Sequence, residues 1–348
     1  MNENNEQENR QLDFLGQFGF QHLPPDALRI FSNEKIIDEA FKYYRTTGFP
    51  YKKAPLHVNM QEINKLANCD NDTLLHTTLG YTAADTYHPH RLHANAHGMR
   101  SPYESFQIDK SLKHALELKL EFGDIGSGWI TTFALTLGTQ ACSNFRPGIA
   151  LKYYKDFCKE GDVILDTSTG YGGRLIGFIA FGKASTYIGI DPNTETCIGN
   201  TKLAADLGVL EKVSIFCSPV EDLDPLLLKE RCDFAFTSPP YFNREIYSNE
   251  ETQSYKRYLI VETWVEKFLK AMLLFQFNSL KHDSFSVVNI ANLKTNKGVI
   301  KLVDYTIQKA EEVGFTYVRT DTLDLQHRLG KNMEEEVAVE PILVFKKA

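Results

Sequence analysis

The sequence predicts an α/β protein with a seven-stranded, mostly parallel sheet, preceded by a mainly helical N-terminal region. From about residue 145, apolar segments alternate with segments of helical period, and the apolar segments are nearly continuous. Strands of that composition are buried on both faces, as in parallel sheets covered by helices. Two strands lie close together at the C-terminus, which predicts that one strand at the end is antiparallel.

The predicted elements follow one another in a regular order. A helix at ALKYYKDFC precedes the strand DVILDTST, a glycine-rich turn and a helix from Leu175 to Phe181. The strand TYIGIDP, a helix from Thr194 to about Gly208 and the strands VSIFCS and DFAFTS come next. The strands SFSVVNIANL, FTYVRTDTL and VEPILVF complete the sheet. Between DFAFTS and SFSVVNIANL, a long amphipathic helix has its apolar residues at the helical period, namely Val261, Trp264, Val265, Phe268, Leu269 and Met272.

Composition limits the class of protein. The 348 residues carry a net charge of −7, so the chain as a whole has no basic character that would attract a polyanion. Its six cysteines form no CxxC pair and several lie in apolar runs, which predicts reduced core thiols and a cytoplasmic protein. The polar first ten residues are expected to be disordered, and we expect neither a signal peptide nor a membrane span.

The pattern divides the chain into an N-terminal region, residues 1–140, and an α/β domain, residues 141–348. In sheets of the predicted type, ligands bind beyond the carboxyl ends of the strands. After the first strand stands Asp166-Thr-Ser-Thr-Gly-Tyr-Gly-Gly, and Asp191 ends the second strand. Glycines let the backbone approach a ligand closely, and the acid can accept ribose hydroxyls. A GxGG spacing suits a nucleoside without phosphates, such as S-adenosylmethionine (SAM).

The segment TSPPYF, residues 237–242, ends the strand DFAFTS with two prolines, which cannot donate to a sheet. Together with Asn144-Phe-Arg-Pro147, DTSTGYGG and Asp191, it resembles the SAM-dependent methyltransferases that modify exocyclic amines of DNA bases. In that family the serine form of the corner is most frequent in cytosine-N4 enzymes, and other forms in adenine-N6 enzymes. Related corners occur in RNA and protein-glutamine methyltransferases. These remain alternatives, as does a non-catalytic subunit that kept the fold.

The resemblance implies a Rossmann-like class I methyltransferase fold, SAM as cofactor and DNA as partner. It implies that residues 141–348 are the catalytic domain, with Ser238, Pro239, Pro240 and Tyr241 as the catalytic set. The residues expected to contact the cofactor are Phe145, Arg146, Pro147, Asp166, Thr167, Gly170, Gly172, Gly173, Asp191, Pro192, Glu221, Asp222 and Thr237.

The residue types at the corner suit methyl transfer to an amine. Ser238 Oγ and the Pro239 carbonyl can accept the two N–H bonds of an exocyclic amine. Tyr241, with Phe242 behind it, can stack on a base flipped out of a duplex. Asp222, with Glu221 as its rival, can accept the adenine amine of SAM. No metal is needed for this chemistry.

Target recognition is expected outside the core, because the chain after the corner only completes the sheet. One candidate is the loop NREIYSNEETQSYKRY, with Arg244, Lys256 and Arg257 as substrate contacts. The other is residues 1–140, where Arg91 and Arg100 would contact phosphate. An oligomerisation or packing module remains the alternative for this region. Four histidines in the same stretch lack a cysteine or acid at ligand spacing, so no metal is predicted; they are His88, His90, His93 and His97.

Overall fold

The computed structural model describes residues 32–96, 98–121, 139, 141–296, 298–324 and 339–348. The chain forms two compact units, one of residues 1–52 and 92–142 and the other of residues 53–91 and 143–348. This division differs from the predicted boundary at residue 140, because residues 53–91 belong to the α/β unit. The predicted disorder of the first ten residues concerns positions outside the described ranges.

The smaller unit is helical over most of its described part. Its first helix begins after Ser32, whose hydroxyl accepts from a backbone N–H, and ends at Gly48, which has a φ of 85°. An ion pair of 2.7 Å joins Arg45 of this helix to Asp109. The helices are Asn33–Thr47, Pro102–Gln107 and Asp109–Glu121. Its buried apolar residues are Ile36, Ala40, Tyr44, Phe49, Leu92, Phe106, Leu112, Ala115 and Leu116.

The larger unit is built on one seven-stranded sheet. Its strands are β1 Val163–Asp166, β2 Thr186–Asp191, β3 Val213–Cys217, β4 Cys232–Thr237, β5 Leu280–Asn289, β6 Thr316–Asp324 and β7 Val339–Lys346. Their order across the sheet is β6-β7-β5-β4-β1-β2-β3. Neighbouring strands among β1 to β5 are parallel, whereas β7 is antiparallel to both β5 and β6. This is the Rossmann-like class I methyltransferase fold, and the prediction of seven strands with one reversed is confirmed.

Helices connect and cover these strands. The larger unit contains the helices Leu56–Ala67, Asn71–His76, Tyr81–Tyr87, Pro147–Phe157, Gly173–Phe181, Thr194–Asp206, Ser254–Arg257, Val261–Trp264, Lys270–Ser279 and Leu302–Val313. A π-helical turn, Val265–Leu269, joins Val261–Trp264 to Lys270–Ser279, so the predicted long helix is present with a local widening. The short elements among the described residues are the 3₁₀ turns Pro89–His93, Leu210–Lys212 and Val220–Asp222, and the strands Asn95–Ala96, Glu245–Ile246, Leu293–Thr295 and Gly298–Ile300.

Both faces of the sheet are buried. Successive residues of a strand point to opposite faces, and here Ile164 and Phe234 belong to one hydrophobic cluster while Leu165 and Ala235 belong to the other. The first cluster also contains Leu74 from residues 53–91. That segment therefore shares the core of the α/β unit, which explains why the two-unit division does not follow the predicted boundary.

The cysteines differ in part from the prediction. All six are free thiols, but only Cys142, Cys197 and Cys232 are buried. Cys217 is exposed, because it ends the edge strand β3. The prediction of core thiols is therefore wrong for Cys217. No helix in the described ranges is long and apolar enough to cross a membrane.

We expect the mutation Gly177→Val to lower the free energy of unfolding by about 1–3 kcal/mol, because it overpacks the contact between the helices that flank β1. An added Cβ at Gly177 would lie 2.6 Å from Ala150 Cβ and 3.0 Å from Leu151 N. Urea denaturation followed by circular dichroism measures the change. The control Lys202→Ala, at an exposed position of the helix after β2, should change stability by less than about 0.5 kcal/mol. Equal losses in both variants would contradict this expectation.

Candidate active site

Three predicted segments meet at the carboxyl edge of the parallel strands. They are the glycine loop, residues 166–173 after β1, Asp191 at the end of β2, and the corner, residues 237–242 after β4. Because β1 lies between β2 and β4, the three segments are neighbours. Thr237 is the last residue of β4 and is fully buried. The structure thus brings the predicted cofactor loop and the predicted catalytic corner together where ligands bind in such sheets.

The three glycines of the glycine loop have different surroundings. Gly170 has a φ of +52°, and an added Cβ would meet only one atom, at 4.0 Å, so this side of the backbone is open. At Gly172, with a φ of +78°, a Cβ would lie 2.8 Å from His88 Cε1. At Gly173 a Cβ would lie 2.0 Å from the Phe145 carbonyl oxygen. Gly170 therefore faces open space suited to a ligand, whereas the other two allow close packing.

Asp166 and Thr167 point into the protein. Arg174 Nε donates to Asp166 Oδ2 over 2.7 Å, and the Tyr187 hydroxyl donates to the same oxygen over 2.7 Å. The Thr167 hydroxyl oxygen accepts from Gln276 Nε2 over 2.7 Å. Both side chains have internal partners, whereas the sequence analysis placed them against the cofactor. The Asp166–Arg174 ion pair instead fixes the beginning of the glycine loop to the helix that follows it.

Asp191 is the buried acid of the edge. Its Oδ2 accepts from Gly170 N over 2.9 Å and from Thr169 Oγ1 over 3.3 Å, and its Oδ1 accepts from Asn193 N over 3.0 Å. Burial raises the pKa of Asp191 to about 6. A carboxylate accepts about four hydrogen bonds, so one direction remains for a ligand. If Asp191 accepted hydrogen bonds from both ribose hydroxyls, as predicted, the Thr169 hydroxyl would have to give up its hydrogen bond to Asp191 Oδ2.

Residues 144–147 support the glycine loop from behind. Asn144 Nδ2 donates to the Tyr171 carbonyl over 3.1 Å. Arg146 Nη1 donates to the Leu75 carbonyl over 2.7 Å. The last residue of the segment is the proline that begins the helix before β1, a position where proline is favoured. The described polar contacts of this segment are therefore with the protein, and its predicted cofactor contacts stay a prediction.

Two neighbouring acids beyond β3 differ in burial. The Glu221 side chain is 4% exposed and that of Asp222 is 47% exposed. Arg257 binds both, with Nη1 donating to Glu221 Oε1 over 3.0 Å and Nη2 to Asp222 Oδ1 over 2.7 Å. Glu221 Oε2 is buried without a hydrogen-bond partner among the described residues, and burial raises the pKa of Glu221. These observations favour Glu221, rather than Asp222, as an inward acceptor.

A hydrogen-bond cluster lies at the corner. Ser238 Oγ donates to Asn289 Oδ1 over 3.2 Å. The Tyr241 hydroxyl lies 3.3 Å from the same oxygen and contacts Glu340 Oε1 more closely. Asn289 Nδ2 donates to the Pro341 carbonyl over 3.1 Å. The ends of β4 and β5 and the beginning of β7 thus contribute to one set of polar contacts.

The corner is held in a strained conformation. Phe242 has a φ of +56°, a left-handed value that costs a residue other than glycine about 1–3 kcal/mol. Its ring is buried and lies 6.1 Å from that of Trp264 in an edge-to-face arrangement. Trp264 Nε1 in turn donates to Ser254 Oγ over 3.3 Å. This packing, with the fixed φ of Pro239 and Pro240, holds the turn. The role of Phe242 as a substrate contact stays a prediction, because its ring is buried against Trp264.

The loop after the corner, residues 243–258, contains the predicted substrate cations. The Arg244 guanidinium lies 5.9 Å from the centre of the Tyr241 ring. Lys256 Nζ lies 2.8 Å from Glu251, and Arg257 is held by the two acids beyond β3. Among these three cations, Arg244 is thus the one placed beside the catalytic corner.

The same loop is tied to the residues that follow Asp191. The carboxylate of Glu250 accepts from Thr194 N over 3.3 Å. Thr252 Oγ1 donates to the Pro192 carbonyl over 3.1 Å. A predicted cofactor residue, Pro192, is therefore a contact point for the loop. The loop thus connects the corner to the residues that follow Asp191 at the end of β2.

The predicted phosphate-binding arginines fall in different units. Arg91 belongs to the larger unit, where its Nε and Nη2 donate to Asp85 Oδ1 over 3.1 and 2.7 Å. Arg100 belongs to the smaller unit and is exposed. Their joint contact with phosphate stays a prediction, and Arg91 would have to leave a carboxylate to make it.

The histidines of the N-terminal stretch are packed rather than clustered around a common point. His88 is fully buried, its Nδ1 donates to the Ala84 carbonyl over 3.1 Å, and burial lowers its pKa to about 4. His90 Nε2 contacts Thr196 Oγ1 over 3.0 Å. His97 lies outside the described residues. Within the described ranges, no group of three or more His, Cys, Asp or Glu side chains is arranged to hold a metal.

Sequence reasoning missed two polar residues of the corner, Asn289 and Glu340. Asn289 lies inside the predicted strand SFSVVNIANL but is the last residue of β5, and a polar residue within that apolar run, next to the corner strand, was an available signal. Glu340 is an acid in the apolar run VEPILVF. Its partner, Tyr241, is 99 residues away in sequence, and the local pattern does not indicate it.

The similarity of this chain to known proteins is confined to solved structures. No protein-family model matches the sequence, and no curated protein matches it. TrmN from Thermus thermophilus is 14% identical with a TM-score of 0.41, and the match covers 58% of this chain and 49% of that one. A SAM-dependent methyltransferase from Aquifex aeolicus is 16% identical with a TM-score of 0.39, covering 59% and 100%. The matched region spans about half the length of TrmN, and the fold assignment depends on the strand order described above.

We expect SAM to bind more tightly as the pH rises from about 5 to about 7. Burial raises the pKa of Asp191 to about 6, and protonation below that value removes the charge that a ribose hydroxyl would bind. At pH 7, Asp191→Ala should weaken binding about ten- to a hundred-fold, because charge-assisted hydrogen bonds contribute about 1.5–3 kcal/mol. Isothermal titration calorimetry at several pH values checks both statements. Equal wild-type affinities across this range, or unchanged affinity in the variant, would contradict the assignment.

A matched pair of variants distinguishes the two acids beyond β3. Glu221→Ala should weaken SAM binding about tenfold, because it removes the buried carboxylate that can accept the adenine amine. Asp222→Ala should change affinity less than about twofold, because its side chain is half exposed. Glu221→Ala loses one hydrogen bond to Arg257 and Asp222→Ala loses two, so a larger effect of Glu221→Ala would not come from the arginine contacts. The assignment is wrong if Asp222→Ala weakens binding more than Glu221→Ala in folded proteins.

Proposed function

We propose that the protein is a SAM-dependent methyltransferase acting on the exocyclic amine of a DNA base, with cytosine N4 favoured over adenine N6. The observation that carries this proposal is the hydrogen bond of 3.2 Å between Ser238 Oγ and Asn289 Oδ1. Because an amide oxygen can only accept, Ser238 is the donor in this bond, and the lone pairs of its oxygen remain available to accept a substrate N–H. A serine whose proton pointed to the substrate would be a donor and could not serve this purpose.

An exocyclic amine is a weak nucleophile, because its lone pair is delocalised into the ring. Acceptors for both N–H bonds favour a tetrahedral nitrogen with a localised lone pair. In the proposed mechanism, Ser238 Oγ and the Pro239 carbonyl are these acceptors, and the two prolines fix their positions. Acceptors that are already in place stabilise the positive charge that develops on nitrogen at no cost of reorganisation.

The residues at the carboxyl edge fit SAM. The open side of Gly170 permits close approach, Asp191 keeps one acceptor direction, and Glu221 has a buried carboxylate oxygen without a partner among the described residues. When bound, SAM supplies a methyl group activated by its sulfonium. The protein contributes position, because the glycine loop and the corner follow adjacent strands, and orienting two reactants lowers the barrier.

The choice of DNA as the methyl acceptor is the most specific part of the proposal. A base must leave the stack before its amine can reach a buried corner, and aromatic rings receive such bases. The Tyr241 ring, with Arg244 beside it, is the group proposed for this purpose. An RNA base or a glutamine side chain presents the same pair of N–H bonds, so each is an outcome of the test below.

Incubation of the protein with methyl-labelled SAM and matched DNA, RNA and protein tests the function. We expect label in N4-methylcytosine of DNA, identified by nucleoside mass spectrometry. Ser238→Ala should lower the single-turnover rate about 100-fold or more, while leaving SAM affinity near that of the wild type. Ser185→Ala, an exposed serine bonded to the Gly161 carbonyl, is the matched control and should transfer normally.

The alternatives predict other results. Label in RNA or in glutamine would replace the DNA target. SAM binding without transfer to any acceptor would indicate the non-catalytic subunit. Retention of the full rate by Ser238→Ala would refute the proposed role of the serine.

A further inference from the structure

The directions of the hydrogen bonds at the corner follow from which atoms can donate and which can accept. The hydroxyls of Ser238 and Tyr241 can donate, and the acceptors are Asn289 Oδ1, the Glu340 carboxylate and the Pro341 carbonyl. Asn289 Nδ2 donates to the Pro341 carbonyl, which can only accept, so Asn289 Oδ1 must face the hydroxyls. That oxygen accepts from Ser238. Tyr241 has one proton, and its closer partner is the carboxylate of Glu340, which is the stronger acceptor. Tyr241 therefore donates to Glu340, and its oxygen keeps its lone pairs.

Both hydroxyl oxygens lie beside one atom. Ser238 Oγ is 3.2 Å and the Tyr241 hydroxyl 3.3 Å from Asn289 Oδ1. A substrate amine that donates to Ser238 is thus brought towards a phenol oxygen whose own proton is already directed to a carboxylate. Such an arrangement can move a proton from the amine to Glu340 without a free phenolate.

We propose that Glu340 is the final acceptor of the proton that the amine loses on methylation, and that the Tyr241 hydroxyl passes the proton to it. This inference rests on the proposed function. The sequence predicts that the Tyr241 ring stacks on the base, whereas this proton relay, from the amine through Tyr241 to Glu340, uses the Tyr241 hydroxyl. Glu340 acts through Tyr241 and is a positioning residue, not one that touches substrate.

The step balances in atoms and charge. When nitrogen bonds to the methyl group, it becomes positive and still carries both hydrogens. The N–H that Ser238 Oγ held turns to the Tyr241 oxygen. This N–H bond breaks as a bond forms to that oxygen, and the original Tyr241 O–H bond breaks as a bond forms to Glu340 Oε1. The methylated nitrogen and Glu340 end neutral, and Tyr241 is unchanged. Glu340 then returns its proton to water.

The surroundings support a concerted transfer. Burial, together with the Glu340 carboxylate, raises the pKa of Tyr241 well above its ordinary value, so the two proton movements occur together. The charged and titratable groups around this pair include Arg244, whose guanidinium lies 5.9 Å from the centre of the Tyr241 ring, Glu245, which acts on Tyr241, and Tyr81, whose pKa is raised mainly by burial with a contribution from Glu340. Arg91, Arg146 and Asp85 act in turn on Tyr81.

Two variants separate the relay from stacking and from structural support. Tyr241→Phe keeps the ring and removes the hydroxyl, and Glu340→Gln keeps the shape and removes the base. We expect each to lower the single-turnover methyl-transfer rate by about 100-fold, the range of general acid–base catalysis, with SAM affinity unchanged in calorimetry. The wild-type rate should be lower in D2O, because exchangeable protons move in the relay, and this solvent isotope effect should be absent in Glu340→Gln.

Glu311→Gln, at an exposed position of the helix Leu302–Val313, is the matched control and should keep both the rate and the solvent isotope effect. Thermal unfolding establishes that the variants are folded. A folded Glu340→Gln with the wild-type rate, or with a low rate and an intact solvent isotope effect, would overturn the inference while leaving the proposed function in place. A full rate in Tyr241→Phe would do the same and would assign Tyr241 to stacking. A wild-type protein that transfers no methyl group to any acceptor would overturn both.

Discussion

The reversed direction of β7 determines which residues meet at the candidate site. In a wholly parallel sheet, every strand brings its carboxyl end to the ligand edge. Because β7 runs opposite to β5, its first residues lie beside the last residues of β5, so Pro341 reaches Asn289 and Glu340 reaches Tyr241. The hydrogen bond to the Pro341 carbonyl orients the Asn289 side chain, and Asn289 Oδ1 in turn orients the Ser238 hydroxyl. The direction of the hydrogen bonds at the corner thus follows from the topology of the sheet.

Carboxylates hold most of the cations that the sequence offered for nucleic-acid contact. Arg91, Lys256 and Arg257 each form an ion pair of 2.8 Å or shorter. Exposed pairs of this kind contribute about 0–1 kcal/mol, so exchanging a carboxylate for a phosphate is inexpensive at Lys256. The cost is greater for Arg91, whose side chain is 12% exposed. On an acidic chain, contact with a polyanion therefore requires exchange of partners rather than attraction alone.

The sequence was sufficient for the fold, because period and composition are local properties. Continuous apolar strands and alternating helices predicted the sheet, and the glycine loop and TSPPYF predicted its ligand edge. The predicted boundary at residue 140 lies close to the division between Cys142 and Ser143, but residues 53–91, predicted as part of the N-terminal region, share the core of the α/β unit. Such a contact between distant segments leaves no local pattern. The inward positions of Asp166 and Thr167 were equally hidden, since Tyr187 and Gln276, which bind them, lie in other elements.

Trp264 makes the corner visible to spectroscopy. Its indole is fully buried, contacts the ring of Phe242 and is anchored to Ser254. The chain has two tryptophans, and the other, Trp129, lies outside the described residues. Replacement of Trp129 by phenylalanine would leave one intrinsic fluorophore directly behind the turn that holds Ser238 and Tyr241. The emission of that fluorophore would then report rearrangement of the corner in real time, without an attached label.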